Sequence, residues 1–393
     1  MPTTPRNKAQ EGVRTAKNRE SRARELLMRP TLLKEVVADI QTAFSIHGED
    51  LLIEMLYLAM SSRGLSDPIS IIVQGPSGSG KTYLIDSVCR FLPPKDLWTA
   101  THMRAKALYY DPTGVKHKVI NGKERTRLTG AEVQESTSAI RQLISDKEIV
   151  NRSVSSDREG VAQRVEGPVC YLESTTLDDD DIFDEDLSRC LLMRTTSDPE
   201  HRRGVIQTIG SRFDPKRPAA ADQKEIISMH QLIQRKLLKP RKVVIPFHVE
   251  LAESFPVSGD NMTRLFERLL FTVAAITHLH QHQRKNDNGA VVSTLDDYRK
   301  AKPIIDRCMS DATSRSLKGA QRSVYNAVRE AGEVKRSDVV KAVAPPGKFR
   351  KGHQATAAKQ AINALIEQCA LVEISKGRGS RSGILRCYEL PNL

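Results

Sequence analysis

The sequence SIIVQGPSGSGKT, residues 70–82, decides the fold of this chain. It begins with a short β-branched apolar run and ends in a glycine-rich loop with the spacing G-x-x-x-x-G-K-[ST]. Apolar residues then return at helical spacing until Pro93 and Pro94. A strand, a loop and a helix in this order are the context in which such a loop binds phosphate. The residues that we assign to nucleotide binding are Gly75, Pro76, Ser77, Gly78, Ser79, Gly80, Lys81, Thr82 and Tyr83.

Each residue type in this loop has a chemical reason. Glycines let the backbone pass close enough to phosphate oxygens for its N–H groups to bind them, and the following helix directs its positive end toward the same oxygens. Lys81 can reach the β and γ phosphates, and the hydroxyl of Thr82 can ligate magnesium. The sequence therefore predicts ATP and Mg²⁺ as cofactors.

Such a loop also needs a carboxylate that positions magnesium and polarises water, usually at the end of a neighbouring strand. Glu124 follows a short apolar run and is our candidate for catalysis and for metal binding, although Lys123 stands where an aspartate is usual. A solvated glutamate on a charged turn is the competing interpretation. Glu173, at the end of the next apolar run, is the alternative carboxylate. The acidic run 178–181 is more typical of a solvated loop than of a metal site.

Strands alternate with helices along the central part of the chain. Residues 31–62 carry apolar positions at helical spacing, interrupted near His47 and Gly48, and predict two helices before the first strand. Short apolar runs at 118–120 and 169–172 predict further strands. This alternation predicts an α/β fold with a largely parallel sheet that helices cover on both faces.

The C-terminal part has a different pattern: three helical segments, then two apolar runs that flank a basic Gly/Ser-rich tip. Three helices and a hairpin of this kind are typical of a winged helix, a variant of the helix-turn-helix. We therefore predict four parts: a basic flexible tail at 1–30, an ATP-binding core at 31–215, a helical lid and linker at 216–315, and a winged-helix domain at 316–393.

The net charge of +13 is concentrated at the two ends of the chain. Residues 1–30 hold eight Lys/Arg and three Asp/Glu, and residues 315–393 hold fifteen and six, which leaves −1 for the middle. Basic ends suit a polyanion such as DNA, because each neutralised phosphate releases counterions; solubilising faces are the alternative.

Other compositional features exclude some classes of protein. The six cysteines are scattered without a CxxC pair, and His278, His280 and His282 are two residues apart in a helical stretch, so neither set predicts a metal site. No apolar run is long enough to span a bilayer and no secretory signal is visible, so we expect a cytoplasmic protein without membrane contact.

A series of segments then carries a family resemblance. In order along the chain they are the glycine-rich loop, residues 122–125, 143–146, 166–168, 173–176, 182–190, 280–284 and 296–298. Together they resemble the AAA+ ATPase module of helicase-like proteins from phages and other mobile elements, which is related to the replicative ring helicases. The resemblance covers about residues 31–300.

The resemblance implies roles at matching positions and an oligomeric ring, a hexamer. Glu124 would be the Walker B catalytic glutamate, with the missing aspartate leaving magnesium ligation open, and Thr175 or Thr176 would be sensor 1, which orients the attacking water. Arg189 would be an arginine finger for the neighbouring subunit, and Arg264 (or Arg268) would be sensor 2 in the lid. A surface salt bridge is the alternative for each arginine.

The expected partner is DNA, single-stranded in a central pore and duplex at the winged helix. A hairpin before sensor 1 lines the pore of ring helicases, and residues 149–165 alternate as a hairpin does; an ordinary polar hairpin is the alternative. Phosphate contacts need no base-specific chemistry. The candidate contacts are Arg152, Arg158 and Arg164 in the hairpin, Lys359 on the third C-terminal helix, and Lys376, Arg378 and Arg381 at the tip.

These features lead to three hypotheses for function. The first is an ATP-dependent DNA motor, a ring-forming helicase in the DNA replication of a phage or mobile element. The second is an ATP-switched DNA-binding initiator, helicase loader or regulator, which the irregular region around Glu124 favours. The third is a defence or signalling ATPase whose basic module binds a protein. The sequence contains no visible primase or nuclease site, so either activity would come from a replication partner.

Overall fold

The computed structural model describes residues 17–99, 105–111, 113–125, 131–154, 160–178, 181–214, 220–237, 241–257, 262–344, 351–375 and 383–393. These residues belong to two compact units, which are described separately. The first comprises the chain up to Ile245 together with Phe271–Thr294, and the second comprises Pro246–Leu270 and Leu295–Leu393. The segment 216–315, predicted as one lid and linker, is thus divided between the two units.

A five-stranded parallel sheet forms the centre of the first unit, with strand order β2-β3-β6-β1-β7. Ile71, Ile72 and Val73 are fully buried, which explains their unbroken apolar run, because a central parallel strand packs against helices on both faces. The predicted α/β class with a parallel sheet is confirmed. The strands of this part of the chain are β1 (Ile71–Gln74), β2 (Leu97–Thr99), β3 (Val119–Arg125), β4 (Glu148–Val154), β5 (Gly160–Glu166), β6 (Cys170–Thr175) and β7 (Leu191–Arg194).

Helices cover both faces of this sheet. The helices α3 and α4 contact β6 on one face, and α2 packs against both of them and against α9. On the other face, Leu108 of α5 and Leu143 of α6 share a core with Ile72 and Ile120 of the sheet. The helices are α1 (residues 17–27), α2 (Leu32–Phe44), α3 (Asp50–Ser62), α4 (Lys81–Cys89), α5 (Ala105–Tyr110), α6 (Ala131–Asp146), α7 (Asp184–Leu187), α8 (Pro199–Gly210) and α9 (Ala220–Leu237).

The N-terminal segment requires a correction. The prediction of a flexible tail over residues 1–30 is wrong for residues 17–27, which form α1. Ala23, Leu26 and Leu27 lie on one face of this helix and are buried, and Arg19 forms a 2.6 Å ion pair with Glu225 of α9. Three apolar residues among many charges gave too weak a periodic signal, but tertiary packing stabilises the helix.

A hairpin is inserted between α6 and β6. β4 and β5 pair antiparallel, with Glu148 opposite Glu166 and Val154 opposite Gly160. The predicted hairpin-like segment 149–165 therefore forms two paired strands, and residues 155–159 between them lie outside the described part of the chain. A separate three-stranded sheet of the first unit contains β8 (Val243–Val244), β9 (Asn286–Asp287) and β10 (Ala290–Val292).

The second unit combines helices with a small antiparallel sheet in the order β11-β13-β12. Val324, Val328, Leu365 and Leu385 form part of its buried core, so the three predicted C-terminal helices pack against the two strands that follow them. The elements are α10 (His248–Ser254), α11 (Met262–Leu279, whose last part belongs to the first unit), α12 (Leu295–Ser316), α13 (Gly319–Ala331), β11 (Val334–Lys335), α14 (Arg336–Val343), α15 (Lys351–Glu367), β12 (Leu371–Ser375) and β13 (Ile384–Cys387). Within the described residues, no helix combines the length and the apolar character that crossing a membrane requires.

Candidate nucleotide-binding site

The glycine-rich loop connects β1 to α4 and depends on its glycines for its conformation. Gly78 and Gly80 adopt φ angles of +78° and +82°, in the left-handed region that side chains with a Cβ rarely adopt. At Gly75 the constraint is space, since a Cβ atom there would lie 2.1 Å from Oγ1 of Thr195 at the end of β7. The loop backbone is thereby held against the carboxyl edge of the sheet, and α4 begins at Lys81.

Lys81 lies over the loop that precedes it. Its Nζ donates hydrogen bonds of 2.8 Å to the carbonyl oxygens of Gly75 and Pro76. Burial lowers the pKa of Lys81, and the negative charge of Glu124 acts against that shift. The ammonium group is thus close to the loop and within electrostatic reach of Glu124.

A hydroxyl pair joins the loop helix to the neighbouring strand. Oγ1 of Thr82 lies 3.1 Å from Oγ of Ser174 on β6, and Ser174 stands opposite Glu124 in the β3–β6 register. Directly paired residues of a sheet project to the same face. Thr82, Ser174 and Glu124 therefore line the same side of the sheet edge, where hydroxyl and carboxylate oxygens fit a magnesium ion.

The strand β6 orders the other candidates. Because side chains alternate along a strand, Glu173 projects to the opposite face from Ser174, and its Oε2 accepts a 2.6 Å hydrogen bond from the hydroxyl of Tyr171. Thr175 is buried and accepts a hydrogen bond from the backbone N–H of Leu177, whereas Thr176 is exposed just after the strand. Ser174 is thus the β6 hydroxyl that contacts α4, and it was not among the residues predicted from the sequence.

A cavity of about 810 Å³ opens beside the loop, a size that suits a nucleotide. Tyr83 borders it: its hydroxyl donates a 2.6 Å hydrogen bond to the carbonyl oxygen of Phe44, and the guanidinium of Arg212 lies 5.2 Å from its ring centroid. The lining comes from the loop between α2 and α3, from the glycine-rich loop, and from α8 with the residues on either side of it. The lining residues include Ser45, Ile46, His47, Glu49, Pro76, Ser77, Gly78, Ser79, Gly80, Tyr83, Thr196, His201, Arg202, Ile206, Ile209 and Arg212.

Two walls of this cavity were not predicted from the sequence. Glu49 lies in the loop between α2 and α3, directly before α3. Its carboxylate accepts a 2.7 Å hydrogen bond from the backbone N–H of Thr196. Gly204 of α8 leaves room for the ring of His47, because a Cβ atom there would lie 2.0 Å from Nε2. The only sequence signal was the interruption at His47 and Gly48, which we interpreted as a break between helices.

The two candidate arginines of the catalytic machinery occupy different units. Arg189 follows α7, and its Nε donates a 2.7 Å hydrogen bond to Oγ of Ser145 while Nη1 donates to the carbonyl oxygen of Glu185. Arg264 is exposed near the start of α11, in the part of that helix that belongs to the second unit. These hydrogen bonds join Arg189 to the end of α6 and to α7.

The DNA-contact candidates differ in their surroundings. Arg152 on β4 is exposed, whereas Nε of Arg164 on β5 lies 2.6 Å from Oε1 of Glu148. Lys359 is exposed on α15 of the second unit. The remaining candidates lie outside the described residues, namely Arg158, Lys376, Arg378 and Arg381.

The histidines near residue 280 show no sign of metal binding. His278 is buried and its Nε2 lies 2.8 Å from the carbonyl oxygen of Leu237, and His280 is also buried. Among the described residues no group of three or more His, Cys, Asp or Glu side chains is placed to hold a metal ion. Magnesium at a phosphate loop needs no such group, because nucleotide phosphates supply part of its coordination.

Comparisons of the chain with protein-family models and with curated proteins found no match.

Proposed function

We propose that this protein is an AAA+ ATPase that couples ATP hydrolysis to movement along DNA. The observation that supports the proposal most directly is the meeting of Lys81, Thr82, Ser174 and Glu124 at the carboxyl edge of the parallel sheet. Ligands of open α/β sheets bind at this edge. The strand β6 lies between β1, which leads into the loop, and β3, which carries Glu124, so its polar end reaches both groups.

The chemistry follows from these positions. The loop N–H groups and Lys81 bind the phosphates, and Thr82 and Glu124 would hold magnesium, which neutralises phosphate charge when it is bound. Glu124 accepts the proton of the attacking water as the water oxygen bonds to the γ-phosphorus and the bond to ADP breaks. Ser174 would orient that water, the role that the family resemblance implied for Thr175 or Thr176.

The motor requires subunits that complete each other's sites. Arg189 follows α7 on a short connection into β7, where it could extend to a neighbouring subunit's ATP. An arginine supplied in this way is worth about 10³–10⁵ in rate in well-studied NTPases. We therefore propose a ring, a hexamer, with the hairpin of β4 and β5 and its exposed Arg152 in the central pore.

The second unit would hold duplex DNA. Its order of helix, strand, two helices and two antiparallel strands supports a winged-helix assignment, and the basic excess of residues 315–393 supports a nucleic-acid partner. In this proposal α15 enters the major groove with Lys359 on its exposed face. The setting would be cytoplasmic DNA replication of a phage or mobile element.

The experiment is steady-state ATPase activity with and without single- and double-stranded DNA at two salt concentrations. We expect DNA to stimulate the wild type and not to stimulate Lys81→Ala or Arg189→Ala. Lys81→Ala loses a group that binds the phosphates, and Arg189→Ala loses the arginine that a neighbouring subunit supplies. Lys81→Ala should also lose ATP affinity, whereas Arg189→Ala should retain it. Hydrolysis that DNA leaves unchanged would refute the motor.

A nucleotide switch is the second candidate, and the region around Glu124 favours it. Lys123 occupies the place of the usual aspartate, which suits slow hydrolysis that resets a DNA-bound assembly. Glu124→Gln separates the two candidates, because it blocks hydrolysis while ATP still binds. In a motor this variant should lose strand separation, and in a switch it should remain on DNA in the ATP-bound state.

A further inference from the structure

The strand β3, which carries Glu124, is irregular just before that residue. Asn121 stands opposite Leu172 of β6, but Glu124 stands opposite Ser174, so two residues of β3 face the single residue Glu173. This is the pattern of a β-bulge. One of these two residues, Lys123, has a φ angle of +59°, in the left-handed region that lysine rarely adopts.

The bulge decides which side chain reaches the hydroxyl pair. In a regular strand that continued from Asn121, the residue opposite Ser174 would be Lys123, and Glu124 would project to the other face. With the bulge, Glu124 takes the position opposite Ser174 and therefore lies on the side of Thr82. The location of the proposed catalytic carboxylate thus depends on an unfavourable local conformation that other contacts must hold.

Three side chains supply those contacts, and we name them the bulge clamp: Lys123, Asn121 and Asp86. Oδ1 of Asp86 on α4 accepts a 2.6 Å hydrogen bond from Nζ of Lys123 and a 2.8 Å hydrogen bond from Nδ2 of Asn121. The side-chain oxygen of Asn121 accepts a 3.1 Å hydrogen bond from the backbone N–H of Lys123. Asp86 lies one helical turn after Thr82, so the clamp joins the bulge to the helix that carries the phosphate-binding residues.

The opposite side of the bulge is held by packing. A Cβ atom at Gly122 would lie 2.4 Å from the hydroxyl oxygen of Tyr171, so that ring approaches the bulge backbone directly. The same hydroxyl donates to Glu173, which is buried. Polar and aromatic contacts therefore hold the two bulge residues, Gly122 and Lys123, between α4 and the other face of the sheet.

We propose that the bulge clamp positions Glu124 for catalysis and so replaces the aspartate that usually precedes the catalytic glutamate. Lys123 does not ligate metal in this arrangement; with Asp86 and Asn121 it sets the register of β3, and these three are positioning residues. The inference rests on the proposed role of Glu124, but the register of β3 can be measured without it.

The test compares Asp86→Asn with Asp67→Asn. Asp67 forms a 2.8 Å ion pair with Lys147, and the φ angle of Lys147 is also positive, at +60°. The side chain of Asp67 is about as exposed as that of Asp86, so Asp67→Asn is a matched control. We expect Asp86→Asn to lower kcat about 10- to 100-fold, the scale of a misplaced catalytic group, with ATP affinity within about threefold of wild type. Asp67→Asn should keep wild-type kcat, and Lys123→Arg should retain most of it because it preserves the ion pair.

Crystal structures of wild type and Asp86→Asn give the second readout. The inference predicts that the variant loses the bulge, so that Glu124 no longer stands opposite Ser174. If Asp86→Asn keeps both the register and wild-type kcat, the inference is overturned, and a lower melting temperature alone would mean that the clamp is only structural. If the wild-type protein does not hydrolyse ATP, the proposed function fails, and the register in the two crystal structures still decides for or against the clamp.

Discussion

The close approach between the glycine-rich loop and the end of β7 predicts a large effect of Gly75→Ala. The new methyl group would lie 2.1 Å from Oγ1 of Thr195 and 3.0 Å from Oγ of Ser79, so the loop or the strand end must move. Overpacking of this kind costs about 1–3 kcal/mol. Because the loop must return to its binding conformation to hold phosphate, we expect ATP to bind roughly 5- to 150-fold more weakly.

The second substitution Thr195→Ala identifies the cause. It removes the oxygen that clashes and leaves Cβ of Thr195 at 3.4 Å, an ordinary contact. The double variant should therefore regain most of the affinity, less the contribution of the 3.2 Å hydrogen bond from Thr195 to Ser79, about 0.5–1.5 kcal/mol. Gly210→Ala is the control, since a Cβ atom there would meet nothing within 4 Å.

Titration calorimetry measures the affinity for ATP of the wild type, Gly75→Ala, the double variant and Gly210→Ala. Thermal unfolding shows whether each of the four proteins is folded. Wild-type affinity in Gly75→Ala would refute the close approach. A double variant that binds no better than Gly75→Ala would show that the loss has a cause other than Thr195.

Three further predictions concern stability and DNA. Asp96→Ala leaves Arg63 buried without its carboxylate partner and should lower the free energy of unfolding by about 3–5 kcal/mol in urea titrations; a loss below about 1 kcal/mol would contradict the buried pair. Burial lowers the pKa of His278 to about 4, so the unfolded chain binds a proton that the folded chain does not, and the free energy of unfolding should fall by about 2 kcal/mol from pH 7 to pH 5. This loss of stability should be smaller in His278→Gln, and an equal loss in the two proteins would contradict the lowered pKa of His278. Arg152→Ala should weaken binding of single-stranded DNA and reduce the slope of log affinity against log salt by about 1, and an unchanged slope would remove Arg152 from the interface.

Local sequence was sufficient for the phosphate loop. The spacing from Gly75 to Thr82 specifies a strand, a loop and a helix within a single stretch of chain, and the structure has β1 and α4 at these positions. The apolar runs that predicted strands at 118–120 and 169–172 correspond to β3 and β6. These features depend on neighbours in the chain, so composition and periodicity are enough to find them.

The walls of the cavity depend on distant parts of the chain. Glu49 and Thr196, which form a hydrogen bond, are 147 residues apart in the sequence. Neither residue belongs to a motif, and the contact exists only after α8 has folded against the loop between α2 and α3. The helix at 17–27 also depends on a distant part of the chain. Its few apolar residues predict a helix only once α9 is known to lie beside them.

The contact of Ser174 with Thr82 shows a limit of a different kind. All six residues of β6, Cys170–Thr175, are buried, so the strand has no alternation of polar and apolar residues that would reveal which side chains face α4. A shift of one residue exchanges the two faces, and the sequence holds no information that fixes it. The same ambiguity affects β3, where a bulge moves Glu124 onto the face that its position in the sequence would give to Lys123. In a sheet covered on both faces, register therefore determines which residues face the glycine-rich loop and α4 at the carboxyl edge. Only contacts such as that of Thr82 with Ser174 reveal the register.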